Sequence, residues 1–146
     1  MRIRTVLIVA FAIGASACGD SSPTTPSVTT TTAPYSQTDL VAGTGTVQAG
    51  NGNRVTVSYT GWLHDNTRTD AKGRQFDSQS SFSFTLGVGQ VIRGWDMGVV
   101  GMRLGGQRRL VLPPEFAYGA AGAGSGTNAI PPNATLVFDI TMLGVQ

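Results

Sequence analysis

The sequence predicts an α+β domain in which an antiparallel sheet of about five strands wraps around one short helix. Three observations support this prediction. Apolar and polar residues alternate in several short segments, one segment has the spacing of a helix, and glycine-containing turns separate them. Alternation is typical of strands with one packed face and one hydrated face, which favours antiparallel pairing. The domain is expected to cover residues 36–146.

The alternation predicts the strands in chain order. They are expected within 54–63, 75–78, 82–86, 107–112 and 136–143, with a polar loop at 65–73. Side chains two residues apart share a face of a strand. The residues expected to share a face are Val55, Val57 and Tyr59, then Arg108, Leu110 and Leu112, and finally Leu136, Phe138, Ile140 and Met142.

The helix is predicted over Arg93 to Val100. Trp95 and Val99 are four residues apart and therefore lie on one helical face. Glycines at 94, 98 and 101 lower the intrinsic stability of this segment. The helix is therefore expected to depend on packing against the sheet.

Residues 1–17 are predicted to be a secretory signal peptide. Arg2 and Arg4 precede an apolar run at 6–13, and small residues follow at 14–17. The apolar run is too short to cross a bilayer as a helix. Residues 18–35 are rich in Ser, Thr and Pro, and this composition is typical of a tether.

The single cysteine, Cys18, has two interpretations. Cleavage after Ala17 could leave an ordinary secreted protein, or the preceding Ala-Ser-Ala could belong to a lipoprotein box with lipid attached to Cys18. The tether and the lone thiol favour lipid. We therefore expect an exported, membrane-anchored lipoprotein facing the periplasm or the cell exterior, with a soluble secreted protein as the alternative.

The charge balance argues against a nucleic-acid partner. The chain has 10 Lys+Arg and 8 Asp+Glu, and removal of Arg2 and Arg4 with the signal peptide leaves 8 of each. Arg108-Arg109 is the only basic doublet of the predicted domain, whereas a nucleic-acid footprint needs a larger basic patch. One cysteine permits no internal disulfide, and no ligand spacing for a metal is present.

The segment from Phe82 to Gly119 is the most informative for function. It contains no His and no Cys, and it carries apolar and aromatic residues at turns around Trp95. Acid–base chemistry is therefore not indicated. The composition indicates a site that encloses an apolar group and excludes water.

Seven ordered segments resemble the FKBP family of peptidyl-prolyl cis/trans isomerases. The resemblance spans residues 53–143 and implies an FKBP-like fold with isomerase activity. The segments are VSYTG (57–61), FDS (76–78), FSF (82–84), GQVIRGW (89–95), GGQRRL (105–110), PP with FAYG (113–119) and IPPNATLVFD (130–139).

The resemblance implies a pocket with Trp95 as its floor under the prolyl ring. The backbone N–H of Ile92 and the hydroxyl of Tyr118 are then expected to bind substrate carbonyls, with Asp77 as a polar member of the site. The implied catalytic residues are Tyr59, Asp77, Ile92, Trp95 and Tyr118, and the implied substrate-binding residues are Phe76, Phe82, Val91, Ile130 and Phe138.

No cofactor or metal is expected, and the chain is expected to be a monomer. The implied partners are X-Pro-containing polypeptides, and macrolide immunosuppressants are further candidate ligands. A binding module or weak chaperone with little turnover is the alternative function. Family members with strong chaperone activity often carry an inserted domain, and none fits between Tyr118 and Ile130.

Several of these residues also have purely structural interpretations. Tyr59 and Phe138 could be ordinary core residues, and Asp77 could be a loop or turn residue. Many relatives carry a longer segment after the aspartate, with an arginine that can pair with it. Here only residues 78–81 separate Asp77 from Phe82, and none of them is arginine. The orientation and charge of Asp77 are therefore open at this point.

Overall fold

The computed structural model describes residues 32–146. The predicted signal peptide, Cys18 and most of the predicted tether lie outside these residues. The described elements are β1 (Ser36–Val41), β2 (Arg54–His64), β3 (Lys72–Thr85), α1 (Arg93–Gly98), β4 (Gln107–Leu112) and β5 (Leu136–Val145), with short 3₁₀ turns at Pro114–Phe116 and Gly126–Asn128. None of the helices in this part of the chain is both long and apolar enough to span a bilayer.

The strands form one antiparallel sheet in the order β1-β4-β5-β2-β3. The predicted fold class is confirmed. The register places Gly61 of β2 between Asp77 of β3 and Phe138 of β5. Residues far apart in the chain are therefore neighbours in the sheet, next to its β3 edge.

The core lies on one face of the sheet, as the alternation predicts. In β4, Leu110 and Leu112 are fully buried, and the predicted inward residues of β5 are at most 3% exposed. Val137, predicted on the other face, is also fully buried. The hydrophobic effect therefore packs both faces of β5 near its start.

Helix α1 contacts the sheet through its glycines, and it ends at Gly98, two residues earlier than predicted. A Cβ atom added at Gly98 would lie 2.6 Å from Leu110 Cδ2, and one added at Gly94 would collide with Leu112. The two glycines are four residues apart, so they share one helical face. Their helix propensity is poor, but the missing side chains let the helix backbone approach β4 closely.

The prediction of two short strands around a loop at 78–81 was wrong, because β3 is a single strand of 14 residues. A bulge absorbs one extra residue, since Val57 pairs with Phe82 whereas Tyr59 pairs with Gln79. Both faces of the strand are exposed over residues 77–83. Alternation therefore cannot reveal this part of the strand, and the backbone ladder to β2 holds it.

The structure begins to pack just before β1. Tyr35, assigned from the sequence to the end of the tether, contacts Phe116 with ring centroids 5.1 Å apart and a tilt of 43° between the rings, and it packs against the core. Arg108 is the main buried charge, at 8% exposure. Its guanidinium binds the carboxylate of Asp39 on β1 and the carbonyls of Gly98 and Val100. Arg108 of β4 therefore links edge strand β1 to the C-terminal end of α1.

Candidate active site

A cavity of about 390 Å³ opens beside α1. Side chains from β2, β3, α1 and β5 form it, together with the segment before α1 and the loop after the first 3₁₀ turn. The lining residues are Tyr59, Phe76, Asp77, Phe82, Gly89, Gln90, Val91, Ile92, Trp95, Tyr118 and Phe138. Nine of the ten residues predicted for the pocket are thus brought together.

Trp95 is a buried aromatic residue of the cavity, at 4% exposure. It forms T-shaped pairs with two neighbouring rings: the Tyr59 centroid is 4.9 Å away and the Phe138 centroid 5.3 Å away, with interplanar angles of 85° and 86°. Edge-to-face packing of this kind is favourable for aromatic pairs. The indole N–H has no hydrogen-bond partner within residues 32–146, so packing holds the ring.

Gly61 makes room for two further walls. The rings of Phe76 and Phe138 meet edge to face at 5.6 Å and 90°. A Cβ at Gly61 would lie 2.7 Å from Phe76 Cζ and 2.8 Å from Phe138 Cε1. Such distances are shorter than ordinary carbon–carbon contacts. The missing side chain at 61 is therefore a condition for the observed positions of both rings.

Tyr59 and Asp77 form a polar pair at the edge of the aromatic walls. The Tyr59 hydroxyl donates a 2.5 Å hydrogen bond to Asp77 Oδ2. Burial, followed by this hydrogen bond, raises the pKa of Tyr59 well above its ordinary value. Residues 78–81 contain no arginine that could pair with Asp77. The hydroxyl of Tyr59 orients this carboxylate instead. Asp77 itself is exposed and lines the cavity.

Tyr118 lies in the loop that follows the 3₁₀ turn Pro114–Phe116, and it is 39% exposed. Burial and then the negative charge of Asp77 raise the pKa of its hydroxyl. The hydroxyl therefore remains protonated at neutral pH and can donate a hydrogen bond. Gly119 N–H donates to the Pro114 carbonyl, which anchors the loop at this point.

A further part of the cavity lining comes from residues 86–92, here called the rim turn, through its residues 89–92. Val91 and Ile92 were predicted as pocket residues, whereas Gly89 and Gln90 were not. Their sequence signal was present, because both lie in the GQVIRGW segment. The Ile92 N–H has no hydrogen-bond partner within residues 32–146, so it is available to a ligand.

Ile130 is the one predicted pocket residue that does not line the cavity. It is 8% exposed and belongs to the hydrophobic core. Its backbone pairs with that of Ala123, so the two ends of the loop at 123–130, which contains Gly124 and Gly126, lie side by side. This pairing directs Ile130 into the core below the loop rather than into the cavity.

The arrangement suits binding and desolvation rather than proton transfer. The lining has aromatic and aliphatic walls, two hydroxyls, one carboxylate and backbone amides, and it contains no His, Cys or Lys. Within residues 32–146, no cluster of His, Cys, Asp and Glu could hold a metal ion. An apolar cavity with a few convergent polar groups is typical of a small-ligand site.

Comparison with known proteins agrees with this architecture. The sequence model of the family described as FKBP-type peptidyl-prolyl cis-trans isomerase matches residues 45–143. The chain belongs to this family. It is a peptidyl-prolyl cis-trans isomerase of the FKBP type.

Individual relatives cover most of the described domain. An FK506-binding protein of Neisseria meningitidis serogroup C is 49% identical over 98 residues, which is 67% of this chain and 84% of the relative. The peptidyl-prolyl cis-trans isomerase Fkbp12 of Drosophila melanogaster is 42% identical over 107 residues, which is 73% of this chain and 94% of the relative. The crystal structure of AtFKBP13 is 36% identical with a TM-score of 0.63, covering 77% of this chain and 93% of that one.

Proposed function

We propose that the cavity over Trp95 is the catalytic site, and that it accelerates X-Pro rotation by binding the twisted amide better than the planar one. The observation that supports this most strongly is the convergence of nine predicted side chains on one open cavity around a buried indole. No proton transfer is required for rotation about a C–N bond.

The physical basis is the solvation of the amide. Resonance makes the X-Pro bond planar and its rotation slow, over tens to hundreds of seconds. Twisting the bond removes resonance and leaves a less polar carbonyl. Water stabilises the planar form more than the twisted one, so an aromatic cavity that excludes water lowers the barrier. Each tenfold acceleration requires only about 1.4 kcal/mol of preferential binding.

The polar groups are proposed to hold the substrate in place. The unpartnered N–H of Ile92 and the protonated hydroxyl of Tyr118 lie at the cavity, and each can donate a hydrogen bond to a substrate carbonyl. The Tyr59 hydroxyl is already engaged with Asp77. We therefore assign the Tyr59–Asp77 pair to shaping the wall and the electrostatic field beside the proline.

A proline-limited refolding assay tests the assignment. Wild-type protein should accelerate the slow phase, whereas Trp95→Leu and Tyr118→Phe should reduce this acceleration at least tenfold. The matched controls are Trp62→Leu and Tyr35→Phe, because neither Trp62 nor Tyr35 lines the cavity. If all four variants keep wild-type rates, the site assignment is wrong. Unchanged refolding combined with retained peptide binding would support a binding module.

We also propose that macrolides bind in this cavity. A relative named FK506-binding protein is 49% identical over 98 residues, and the walls that would enclose an apolar ring are present. FK506 should therefore inhibit the isomerase competitively. A retained rate at saturating FK506, with a sensitive FKBP-type enzyme as positive control, would exclude this ligand.

For the N-terminal region we propose export and lipid attachment at Cys18. The basic, apolar and small-residue segments of residues 1–17 support export, and the Ser/Thr/Pro-rich tether supports anchoring. The clients would then be extracytoplasmic proteins with X-Pro bonds. Mass spectrometry of the mature N-terminus should show a diacylated Cys18, and Cys18→Ala should release the protein from membranes. An unmodified N-terminus at residue 18 would support the soluble secreted alternative.

A further inference from the structure

Asp96 follows Trp95 in α1, and its carboxylate accepts hydrogen bonds from two backbone amides of the rim turn. Gly87 N–H donates to Oδ1 at 2.9 Å, and Gly89 N–H donates to Oδ2 at 2.8 Å. One carboxylate thus bridges two amides that are two residues apart. Hydrogen bonds to an ionised acceptor are among the stronger ones in proteins.

The hydrogen bonds to Asp96 restrict a turn whose glycines have little conformational preference of their own. Gly87 and Gly89 have φ values of 78° and 75°, a region that glycine visits freely in the unfolded chain. Val88 between them is 57% exposed and contributes little burial. The turn has one further side-chain tie, in which Gln90 Oε1 accepts the Thr85 N–H at 2.7 Å.

The turn held by Asp96 forms one side of the catalytic cavity. It contributes Gly89, Gln90, Val91 and Ile92 to the lining, and the N–H of Ile92 is the one assigned to the substrate. We propose that Asp96 is a positioning residue that couples the rim turn to the floor of the cavity and thereby sets substrate affinity. This proposal rests on the isomerase function of the same cavity.

The physical consequence is a defined change in kinetics. Without the carboxylate, the floor and aromatic walls stay in place, but the substrate must order the rim turn as it binds. That ordering cost applies equally to the bound planar amide and to the transition state. Loss of such uniform binding raises KM and leaves kcat nearly unchanged.

The kinetic test measures kcat and KM separately with a proline peptide. Asp96→Ala should raise KM about tenfold, which corresponds to about 1.4 kcal/mol, with kcat within about twofold of wild type. Asp96→Asn keeps one acceptor oxygen and should give an intermediate KM. Glu115→Ala is the matched control, because Glu115 is exposed and makes no side-chain hydrogen bond within residues 32–146.

Amide hydrogen exchange provides a readout that does not depend on activity. In the wild type the amides of Gly87 and Gly89 should be protected, and in Asp96→Ala they should exchange at least tenfold faster while that of Leu110 in the core is unchanged. An active wild type with an unchanged KM in Asp96→Ala overturns the role of Asp96. If the Gly87 and Gly89 amides of the wild type exchange without protection, the role of Asp96 is also overturned, even where the alanine variant fails to fold. An inactive wild type would instead overturn the isomerase function on which the proposal rests.

Discussion

Substitution of Gly61 by alanine should damage the site through one methyl group. The added Cβ would lie 2.7 Å from Phe76 Cζ and 2.8 Å from Phe138 Cε1, whereas carbon atoms in contact lie about 3.5–4.0 Å apart. Each ring must therefore move by roughly 1 Å. Both rings line the cavity, so the displacement narrows or distorts the space over Trp95.

Two magnitudes follow from this displacement. Overpacking of a buried position costs about 1–3 kcal/mol, which lowers Tm by roughly 4–8 °C for each kcal/mol in a domain of this size. Misplacement of binding groups by about 1 Å can reduce the rate of a positioned reaction about 100-fold. The isomerase activity should therefore fall by at least tenfold while most of the protein remains folded at 25 °C.

The assay compares kcat/KM with a proline peptide and thermal unfolding for Gly61→Ala and Gly144→Ala. Gly144 is the control because it also lies in a strand, and an added Cβ would be 3.7 Å from Thr56 Cβ, an ordinary contact. The control should retain activity and Tm. Wild-type activity and stability in Gly61→Ala would refute the idea that the absence of a side chain at 61 positions the two rings.

Further predictions concern stability and pH. Arg108→Leu should lower the free energy of unfolding by about 1–3 kcal/mol, because the carbonyls of Gly98 and Val100 lose their buried donor, whereas the Asp39 side chain is 57% exposed and stays hydrated. Urea unfolding measures this, and an unchanged midpoint contradicts it. Arg108 lies outside the cavity, so kcat/KM should change little. Burial opposes the shift, but the hydrogen bonds from Arg109 and Lys72 lower the pKa of Asp139. The pKa of Asp139 is lower in the folded state than in the unfolded state, so ionised Asp139 stabilises the fold fully above about pH 4. This stabilisation is lost as the pH falls through the folded pKa. Asp139→Asn should therefore make Tm less dependent on pH in the acid range. Burial raises the pKa of Tyr59, so kcat/KM should stay constant from pH 7 to about pH 10, and a decline centred below pH 9 would contradict this.

Much of the site could be predicted because its side chains follow simple periodic rules. Tyr59 and Phe138 lie on inward strand positions, and Trp95 lies on the packed face of the helix. The resemblance in ordered segments then indicated which of these positions line a cavity. Gly89 and Gln90 lie in the same resembling segment but in a turn, where no periodicity indicates that they face the cavity.

Other features depend on contacts between distant parts of the chain. The bulge in β3 is defined by the pairing of this strand with β2. Both faces of β3 are exposed at the bulge, so no hydrophobic pattern in the sequence indicates it. The Ala123 pairing determines the direction of Ile130, and the Tyr59 hydroxyl determines the orientation of Asp77. Tyr59 and Asp77 are 18 residues apart, and no sequence periodicity marks the pairing of Ala123 with Ile130.

The amino-acid sequence by itself determined the fold class, the single short helix and the chemical type of the site, because burial of apolar side chains imposes local periodicity. Only the tertiary structure decided that Gly61 accommodates two rings and that Asp96 holds the rim turn. The first depends on strand register, and both depend on distances of a few ångströms between backbone and side chain. Such distances are set by the packing of the whole domain.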